Sequence, residues 1–160
     1  MSNLNTEKEI IKHSLTTSKI IAMVGVSSEK KQKVEKIIKR RPSIIVMKYL
    51  QEFGYRVIPV NPFSAGKKIY GENVFAKLED VNFPIDIVDV FRPSKEVPEL
   101  AKQTIRIKAK TLWLQYGIED KKSEQLLNSK NITYIENKCI KQEYQRLFLK
   151  VNPVFPALKN

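Results

Sequence analysis

The chain is poor in the residues on which most catalytic and metal-binding sites are built. Its 160 residues include one cysteine, Cys139, and one histidine, His13. A single cysteine excludes an internal disulfide framework. A single histidine, lying before the first predicted strand with no evident partner, excludes most acid–base and metal-centre schemes.

Long apolar runs are also missing. No stretch approaches the roughly 18 apolar residues that a membrane-spanning helix needs. The first residues, 1–7, lack a charged region followed by an apolar one, so we expect no signal peptide and a cytoplasmic protein. A chain of this length is expected to form one domain with one continuous core.

Positive charge is abundant, with a formal net charge of +12. Lysine supplies 23 of the 29 basic residues, and most of them are scattered, which is typical of an ordinary solvated surface. The dense exception is a basic cluster made of Lys30, Lys31, Lys33, Lys36, Lys39, Arg40 and Arg41. Such a cluster suits either a nucleic acid or a small polyanion such as a nucleotide phosphate. Aromatic residues do not interleave with it, so nucleic acid is the less favoured partner.

The order of apolar segments predicts an α/β fold. Runs rich in β-branched residues predict strands at 19–26, 55–60, 85–91, 111–115 and 132–136. Amphipathic segments between them predict helices, one capped by Ser43 and stopped by Gly54, another capped by Ser94. Flanking helices are predicted at 5–16 and 140–149, and Trp113 is assigned to the core. Five alternations of strand and helix predict a parallel sheet with helices on both faces.

The familiar nucleotide-binding motifs are absent. There is no Walker A loop, and Gly25 stands alone where a dinucleotide fingerprint needs three glycines. Asn61 and Pro62 end the second long strand, where NAD-binding sheets carry an acid for the ribose. What remains is a looser anion site, made of Gly25, Ser27 and Ser28 with Arg41 and Ser43 before a helix. An ordinary turn glycine followed by solvated serines is an equally good interpretation.

Taken in order, these residues resemble a known family. The sequence runs through Val-Gly-Val-Ser at 24–27, Arg-Pro-Ser at 41–43, Gly-Tyr-Arg-Val-Ile-Pro-Val-Asn-Pro at 54–62, Asp-Ile-Val-Asp-Val-Phe-Arg at 86–92, Leu-Trp-Leu-Gln at 112–115 and a late Cys139. This order resembles the small stand-alone CoA-binding proteins. Their Rossmann-like fold, an open parallel five-stranded sheet in three αβα layers, is similar to the amino-terminal domain of the succinyl-CoA synthetase α subunit.

The resemblance covers roughly residues 18–148 and implies where CoA would bind. On that basis the chain divides into a helical extension (1–17), the CoA-binding domain (18–148, with a basic insert at 27–42) and a tail (149–160). The implied ligand contacts lie in the loops after four strands and at one helix start. They are Gly25, Val26, Ser27, Ser28, Arg41, Pro42, Ser43, Val60, Asn61, Pro62, Phe91, Arg92, Pro93, Gln115 and Gly117. The first two loops and the helix start would meet the pyrophosphate and adenosine, and the last two would border the pantetheine arm.

Two departures from the family pattern leave the function open. The stretch between Ser28 and Arg41 is longer than in relatives, and Lys138 stands where relatives usually have an arginine before the cysteine. We favour a non-catalytic module that binds CoA or an acyl-CoA. An enzyme acting on a CoA thioester, with Cys139 or the insert contributing, stays open, as do a nucleic-acid-binding protein and a homo-oligomer.

Overall fold

The computed structural model of the protein describes residues 6–26, two short strands within the basic insert, and residues 42–150. The strands are β1 (Ile20–Val24), β2 (Lys33–Val34), β3 (Ile37–Ile38), β4 (Arg56–Val60), β5 (Lys68–Ile69), β6 (Glu72–Asn73), β7 (Ile87–Val90), β8 (Thr111–Leu114) and β9 (Thr133–Ile135). The α-helices are α1 (Glu7–Thr17), α2 (Pro42–Glu52), α3 (Val97–Arg106), α4 (Lys121–Ser129) and α5 (Ile140–Tyr144). Helix α5 continues as a π-helix over Gln145–Leu149, and 3-10 turns cover Leu78–Asp80 and Ser94–Glu96.

Five strands form one parallel sheet in the order β4-β1-β7-β8-β9, which confirms the predicted fold class. From β1 the chain moves outward to β4 and then returns to the other side of β1 as β7. The order of the sheet therefore reverses between β1 and β7, and ligands of open α/β sheets bind at such a switch point. The strands β5 and β6 form a separate antiparallel pair outside the main sheet.

The central strands are buried because helices cover both faces of the sheet. Helices α1, α2 and α5 pack on one face over a core that includes Met23, Met47 and Trp113. Helices α3 and α4 pack on the other face over Val88, Leu112 and their neighbours. The prediction that Trp113 lies in the core is correct, and its indole Nε1 donates a hydrogen bond to the Lys138 carbonyl at 2.8 Å. Among the described residues, no helix has the length and apolar character to cross a bilayer.

Two predicted helix caps are wrong. Helix α2 begins at Pro42, so Ser43 lies inside its first turn and is buried. Proline suits this first position because its φ is already helical and its missing N–H would have had no partner there. Ser94 opens a 3-10 turn ahead of α3, and its hydroxyl accepts a hydrogen bond from the Glu119 N–H. Ser94 thus connects the loops after β7 and β8.

Helix α1 is joined to the sheet by specific contacts. Its Ile11 and Leu15 are buried in the core beneath α2. The Tyr55 hydroxyl donates to the Leu15 carbonyl at 2.7 Å, and burial raises the pKa of Tyr55 to about 12. Ser14 and Thr111 share a buried hydrogen bond of 3.0 Å between α1 and β8. The amino-terminal helix therefore contributes to the same core as the five strands.

Two aspartates, Asp89 within β7 and Asp86 just before it, occupy opposite environments. Asp86 accepts hydrogen bonds from the Lys19 and Ile20 N–H groups at 2.8 and 3.0 Å and lies 3.4 Å from the Lys110 ammonium. Asp89 is fully buried, with Met23 and Trp113 beside it on the two adjacent strands. Neither of its carboxylate oxygens has a hydrogen-bond partner among the described residues. Since one carboxyl is bound at the start of the sheet and the other is buried in the core, the two cannot act jointly.

The pKa values of these carboxyls shift in opposite directions. Burial raises the pKa of Asp89 well above its ordinary value. Burial also acts to raise the pKa of Asp86, but the two backbone N–H groups and Lys110 outweigh it, and the net shift is downward. Asp89 therefore remains protonated at pH values at which an unfolded chain has already lost that proton.

We expect Asp89→Asn to stabilise the protein at neutral pH and to change little near pH 4. Above about pH 4 the native state holds one more proton than the unfolded state, so Asp89 lowers the free energy of unfolding by about 1.4 kcal/mol per pH unit up to its raised pKa. The variant lacks this slope, so its free energy of unfolding should exceed that of the parent protein by a margin that grows as the pH rises from 4 to 7. Urea unfolding between pH 4 and 8 measures the effect.

Asp86→Asn is the matched control and should respond with the opposite sign. Its lowered pKa means that the native carboxylate stabilises the fold above the unfolded pKa and loses that contribution as the pH falls through the folded pKa. The amide should therefore destabilise the protein at pH 7 and less so in acid. A pH-independent effect of Asp89→Asn would show that its carboxyl has an ordinary pKa.

Candidate functional site

The predicted ligand loops meet at one edge of the sheet. Strands β1, β4, β7 and β8 are parallel, so their carboxyl ends lie side by side. The loops that begin at Gly25, Asn61, Phe91 and Gln115 leave the sheet at this edge. It is the edge at which open α/β sheets bind ligands.

Gly25 brings the ends of β1 and β7 into close contact. Its φ is +100°, and an added Cβ would lie 2.8 Å from the Phe91 carbonyl oxygen and 2.9 Å from Arg92 Cδ. Its N–H donates to the Val60 carbonyl at 2.8 Å. A side chain at this position would have to displace backbone, so only glycine fits the junction.

Asn61 holds the first and second loops together. Its Nδ2 donates to the Val26 carbonyl at 2.8 Å, and its Oδ1 accepts from the Phe63 N–H at 2.9 Å. The side chain is 7% exposed. Sequence reasoning placed Asn61 near the adenosine; the structure shows that both ends of its amide already bind backbone, so its first role is to shape the loop.

Arg92 forms an ion pair with Glu96, a residue that the sequence analysis did not predict at the site. Its Nε and Nη2 donate to the two Glu96 oxygens at 3.0 and 2.7 Å, in a bidentate geometry one helical turn apart. The hydrogen bond from Arg92 outweighs burial and lowers the pKa of Glu96. Both side chains are more than a third exposed, so solvent screens the pair and a ligand phosphate can compete for the guanidinium.

A cavity of about 540 Å³, here called the α3-side cavity, opens between β4, β1 and α3. Its walls combine apolar strand ends with a few polar side chains. They are formed by Val24, Gly25, Val60, Asn61, Pro62, Phe63, Ala76, Lys77, Leu78, Arg92, Glu96, Leu100 and Gln103. Lys77 is exposed, and the ring of Phe63 is 74% exposed. The cavity therefore offers apolar walls, an aromatic ring, two cationic side chains and the Glu96 carboxylate that pairs with one of them.

A second cavity of about 470 Å³, here called the α5-side cavity, lies on the other face of the same edge. It is lined by Pro42, Val46, Phe91, Gln115, Tyr116, Ile118, Cys139 and Gln142. None of these described lining residues carries a formal charge. The free Cys139 is half-buried at the start of α5, and the ring of Tyr116 is 79% exposed.

The loop after β8 is tied to the chain that follows β9. Gln115 is buried, and its Oε1 accepts from the Ile140 N–H at 3.2 Å. Gly117 has a φ of +85°, and its N–H donates to Asn137 Oδ1 at 2.7 Å. These bonds satisfy the first donor of α5 and set the position of the α5-side cavity wall.

The structure separates the predicted contact residues into groups. Five of them line the α3-side cavity, namely Gly25, Val60, Asn61, Pro62 and Arg92. Three line the α5-side cavity, namely Pro42, Phe91 and Gln115. Four line neither, namely Val26, Ser43, Pro93 and Gly117. The remaining predictions, Ser27, Ser28 and Arg41, lie outside the described residues, as do the side chains of the basic cluster.

Two of the four predicted contact residues that line neither cavity, Val26 and Ser43, are buried within the protein. The Val26 side chain is fully buried in the core beneath α2, so only its backbone faces the loops. Ser43 is buried within α2. Burial explains why neither side chain is available at the edge, whatever their backbone contributes.

Several cavity residues were missed from the sequence. Ala76, Lys77 and Leu78 come to the α3-side cavity because Phe75 pairs with β4, its N–H donating to the Pro59 carbonyl at 3.0 Å. Nothing in the local sequence marks that pairing. Phe63 could have been found, because it directly follows the Asn61-Pro62 turn.

The single histidine is not part of this edge. His13 lies on α1 and borders a different cavity with Thr17, Lys108 and Thr133, near the amino ends of the strands. Within residues 6–26 and 42–150, no group of three or more His, Cys, Asp or Glu side chains is arranged to hold a metal ion.

Comparisons with known proteins agree with this architecture. A family model described as a CoA binding domain matches residues 19–145. The chain is 36% identical over 137 residues to the uncharacterized protein YneT of Bacillus subtilis, covering 86% of this chain and 93% of that protein.

Solved structures share the fold. The Thermus thermophilus protein ID.343 superposes with a TM-score of 0.79 at 32% identity, over 89% of this chain and all of that one. A hypothetical protein from Pyrococcus horikoshii superposes with a TM-score of 0.76, also at 32% identity, over 92% of this chain and 96% of that one.

We expect Gly25→Ala to destabilise the protein by more than a positive φ alone explains. The φ of +100° costs an alanine about 1–2 kcal/mol. The clash with Phe91 and Arg92 should add about 1–3 kcal/mol. Gly54→Ala is the control, because Gly54 has a φ of +97° and no heavy atom within 4 Å of its added Cβ. Equal losses in chemical unfolding of the two variants would refute the close contact between β1 and β7.

Proposed function

Because the chain belongs to the CoA-binding domain family, we propose that it is a binding module that holds CoA or an acyl-CoA along the carboxyl edge of its sheet, without chemistry of its own. One observation carries the proposal. Two cavities flank the end of β7, and the adjacent residues Phe91 and Arg92 line one each. An elongated ligand with a nucleotide at one end and a flexible arm at the other matches this arrangement.

The α3-side cavity suits the nucleotide end. Val60 and Leu78 supply apolar walls for an adenine ring, and exposed Phe63 offers a face on which a base can stack. Lys77 and Arg92 bring positive charge to the same cavity, where phosphates would lie. The pantetheine arm would then cross the end of β7 toward Gln115.

A binding role agrees with the side chains at this edge. His13 lies away from both cavities, and Cys139 has no histidine beside it among the residues that line the α5-side cavity. Activated cysteine nucleophiles commonly have such a base beside them. We also propose that the protein is cytoplasmic. The division of the chain into an extension (1–17), a CoA-binding domain (18–148) and a tail (149–160) likewise remains a proposal.

We expect CoA to bind and NAD to bind more weakly or not at all. The ribose of NAD needs an acid at the end of the second long strand, and Asn61 stands there with its amide occupied by Val26 and Phe63. Calorimetric titration of the purified protein with each ligand tests this, after native mass spectrometry has shown whether a ligand co-purifies. Tighter binding of NAD than of CoA would overturn the proposal. Lysine-dependent gel shifts with generic RNA or DNA at physiological salt would favour the nucleic-acid alternative instead.

We expect Arg92→Ala to weaken CoA binding by about 1.5–3 kcal/mol, the range for a hydrogen bond to a charged group. The loss should shrink as salt is raised, because Arg92 is partly exposed. Arg56→Ala is the control: Arg56 also forms a pair with a glutamate, Glu72, but lies at the start of β4, at the opposite edge of the sheet.

Glu96→Gln separates ligand contact from the internal pair. If Arg92 binds a phosphate, neutralising its partner should leave CoA affinity unchanged or raise it, because a competing carboxylate has been removed. Weaker binding in Glu96→Gln together with unchanged binding in Arg92→Ala would show that Arg92 does not contact the ligand.

A further inference from the structure

We propose that the α5-side cavity receives the acyl group of a CoA thioester, so that this protein prefers acyl-CoA over free CoA. The inference rests on the proposed function and specifies the class of ligand. It follows from where the cavity lies, what lines it and how large it is.

The position of the cavity matches the thiol end of the ligand. The α3-side cavity adjoins β4 and β1, whereas the α5-side cavity adjoins the ends of β7 and β8. Three strand spacings, about 14 Å, separate β4 from β8 in the sheet. An arm that leaves the phosphates near Arg92 and passes over the end of β7 arrives beside Phe91 and Gln115.

The chemistry of the cavity matches a hydrocarbon chain. Val46, Phe91 and Ile118 present apolar side chains, and the described lining carries no formal charge. A volume of about 470 Å³ greatly exceeds what a terminal sulfhydryl needs. With free CoA the apolar walls would remain in contact with water, whereas an acyl chain would displace that water and bury them.

One polar group at the rim can orient the thioester. Oε1 of Gln115 is occupied by the Ile140 N–H, which leaves the amide Nε2 as the donor that this side chain can offer. A thioester carbonyl at the mouth of the cavity would accept from it, with the acyl chain directed toward Val46. Because Gln115 is buried and held by α5, this donor is placed before the ligand arrives.

The test is a titration series with CoA, acetyl-CoA, butyryl-CoA, hexanoyl-CoA and octanoyl-CoA. Affinity should rise by up to about fourfold for each methylene that is buried, and stop rising once the cavity is full. Free hexanoate should bind far more weakly than hexanoyl-CoA, because it lacks the nucleotide.

Cavity-filling variants locate the effect. Val46→Phe should leave the affinity for CoA within about twofold and abolish the gain with chain length. Ile118→Phe tests the same wall through a less buried residue, should Val46→Phe fail to fold. Ile45→Phe is the matched control, because Ile45 neighbours Val46 on α2 but is 40% exposed and lines neither cavity.

The single cysteine supplies an independent readout. Cys139 lines the α5-side cavity, so its alkylation by iodoacetamide reports on that cavity alone. At equal saturation, hexanoyl-CoA should slow alkylation more than CoA does, and Val46→Phe should remove that difference.

The outcomes distinguish this inference from the proposed function. Equal affinity for CoA and every acyl-CoA, or chain-length dependence that survives both filling variants, would overturn the acyl site while leaving CoA binding intact. Failure of CoA and of all its thioesters to bind would overturn both.

Discussion

The close approach of β1 and β7 at Gly25 is the constraint on which the carboxyl edge depends. The Phe91 carbonyl and the stem of Arg92 occupy the space that any side chain at position 25 would need. The same glycine N–H bonds to β4 through Val60, so three strand ends are tied at one point. Because successive side chains of an extended strand point to opposite faces, Phe91 and Arg92 lie on opposite sides of the junction, and each helps to line a different cavity.

The loops at the carboxyl edge contribute both to the stability of the fold and to the proposed ligand binding, but through different atoms. Asn61 uses both ends of its amide to hold backbone, and Gln115 uses its oxygen to hold the start of α5. These buried bonds fix loops that would otherwise be mobile, since a buried polar group without a partner is costly. Arg92 differs because its pair with Glu96 is more than a third exposed, and in the proposed complex its guanidinium would exchange that carboxylate for a ligand phosphate. Asp89 is the opposite case, a buried carboxyl beneath the same edge whose pKa is raised well above its ordinary value by burial.

The two cavities at the carboxyl edge differ in charge. Positive charge from Lys77 and Arg92 belongs to the α3-side cavity, whereas the described walls of the α5-side cavity are uncharged. In the proposed acyl-CoA complex this difference favours the orientation with the phosphates in the α3-side cavity and the acyl group in the α5-side cavity. Charge at one end and apolar burial at the other thus supply both the orientation and the selectivity of the proposed acyl-CoA complex.

The sequence by itself determined the five strands of the parallel sheet and most of the loops at its carboxyl edge. Buried parallel strands must be apolar on both faces, and residues such as Gly25 and Asn61 mark where such strands stop. Only the tertiary structure decided what those loop residues do. The pairing of Phe75 with β4 brings Lys77 to the edge, and the 3-10 turn before α3 brings Glu96 there. Burial removes the side chains of Val26 and Ser43 from the edge. These outcomes depend on contacts between residues far apart in the chain, which local patterns of hydrophobicity and turn residues do not encode.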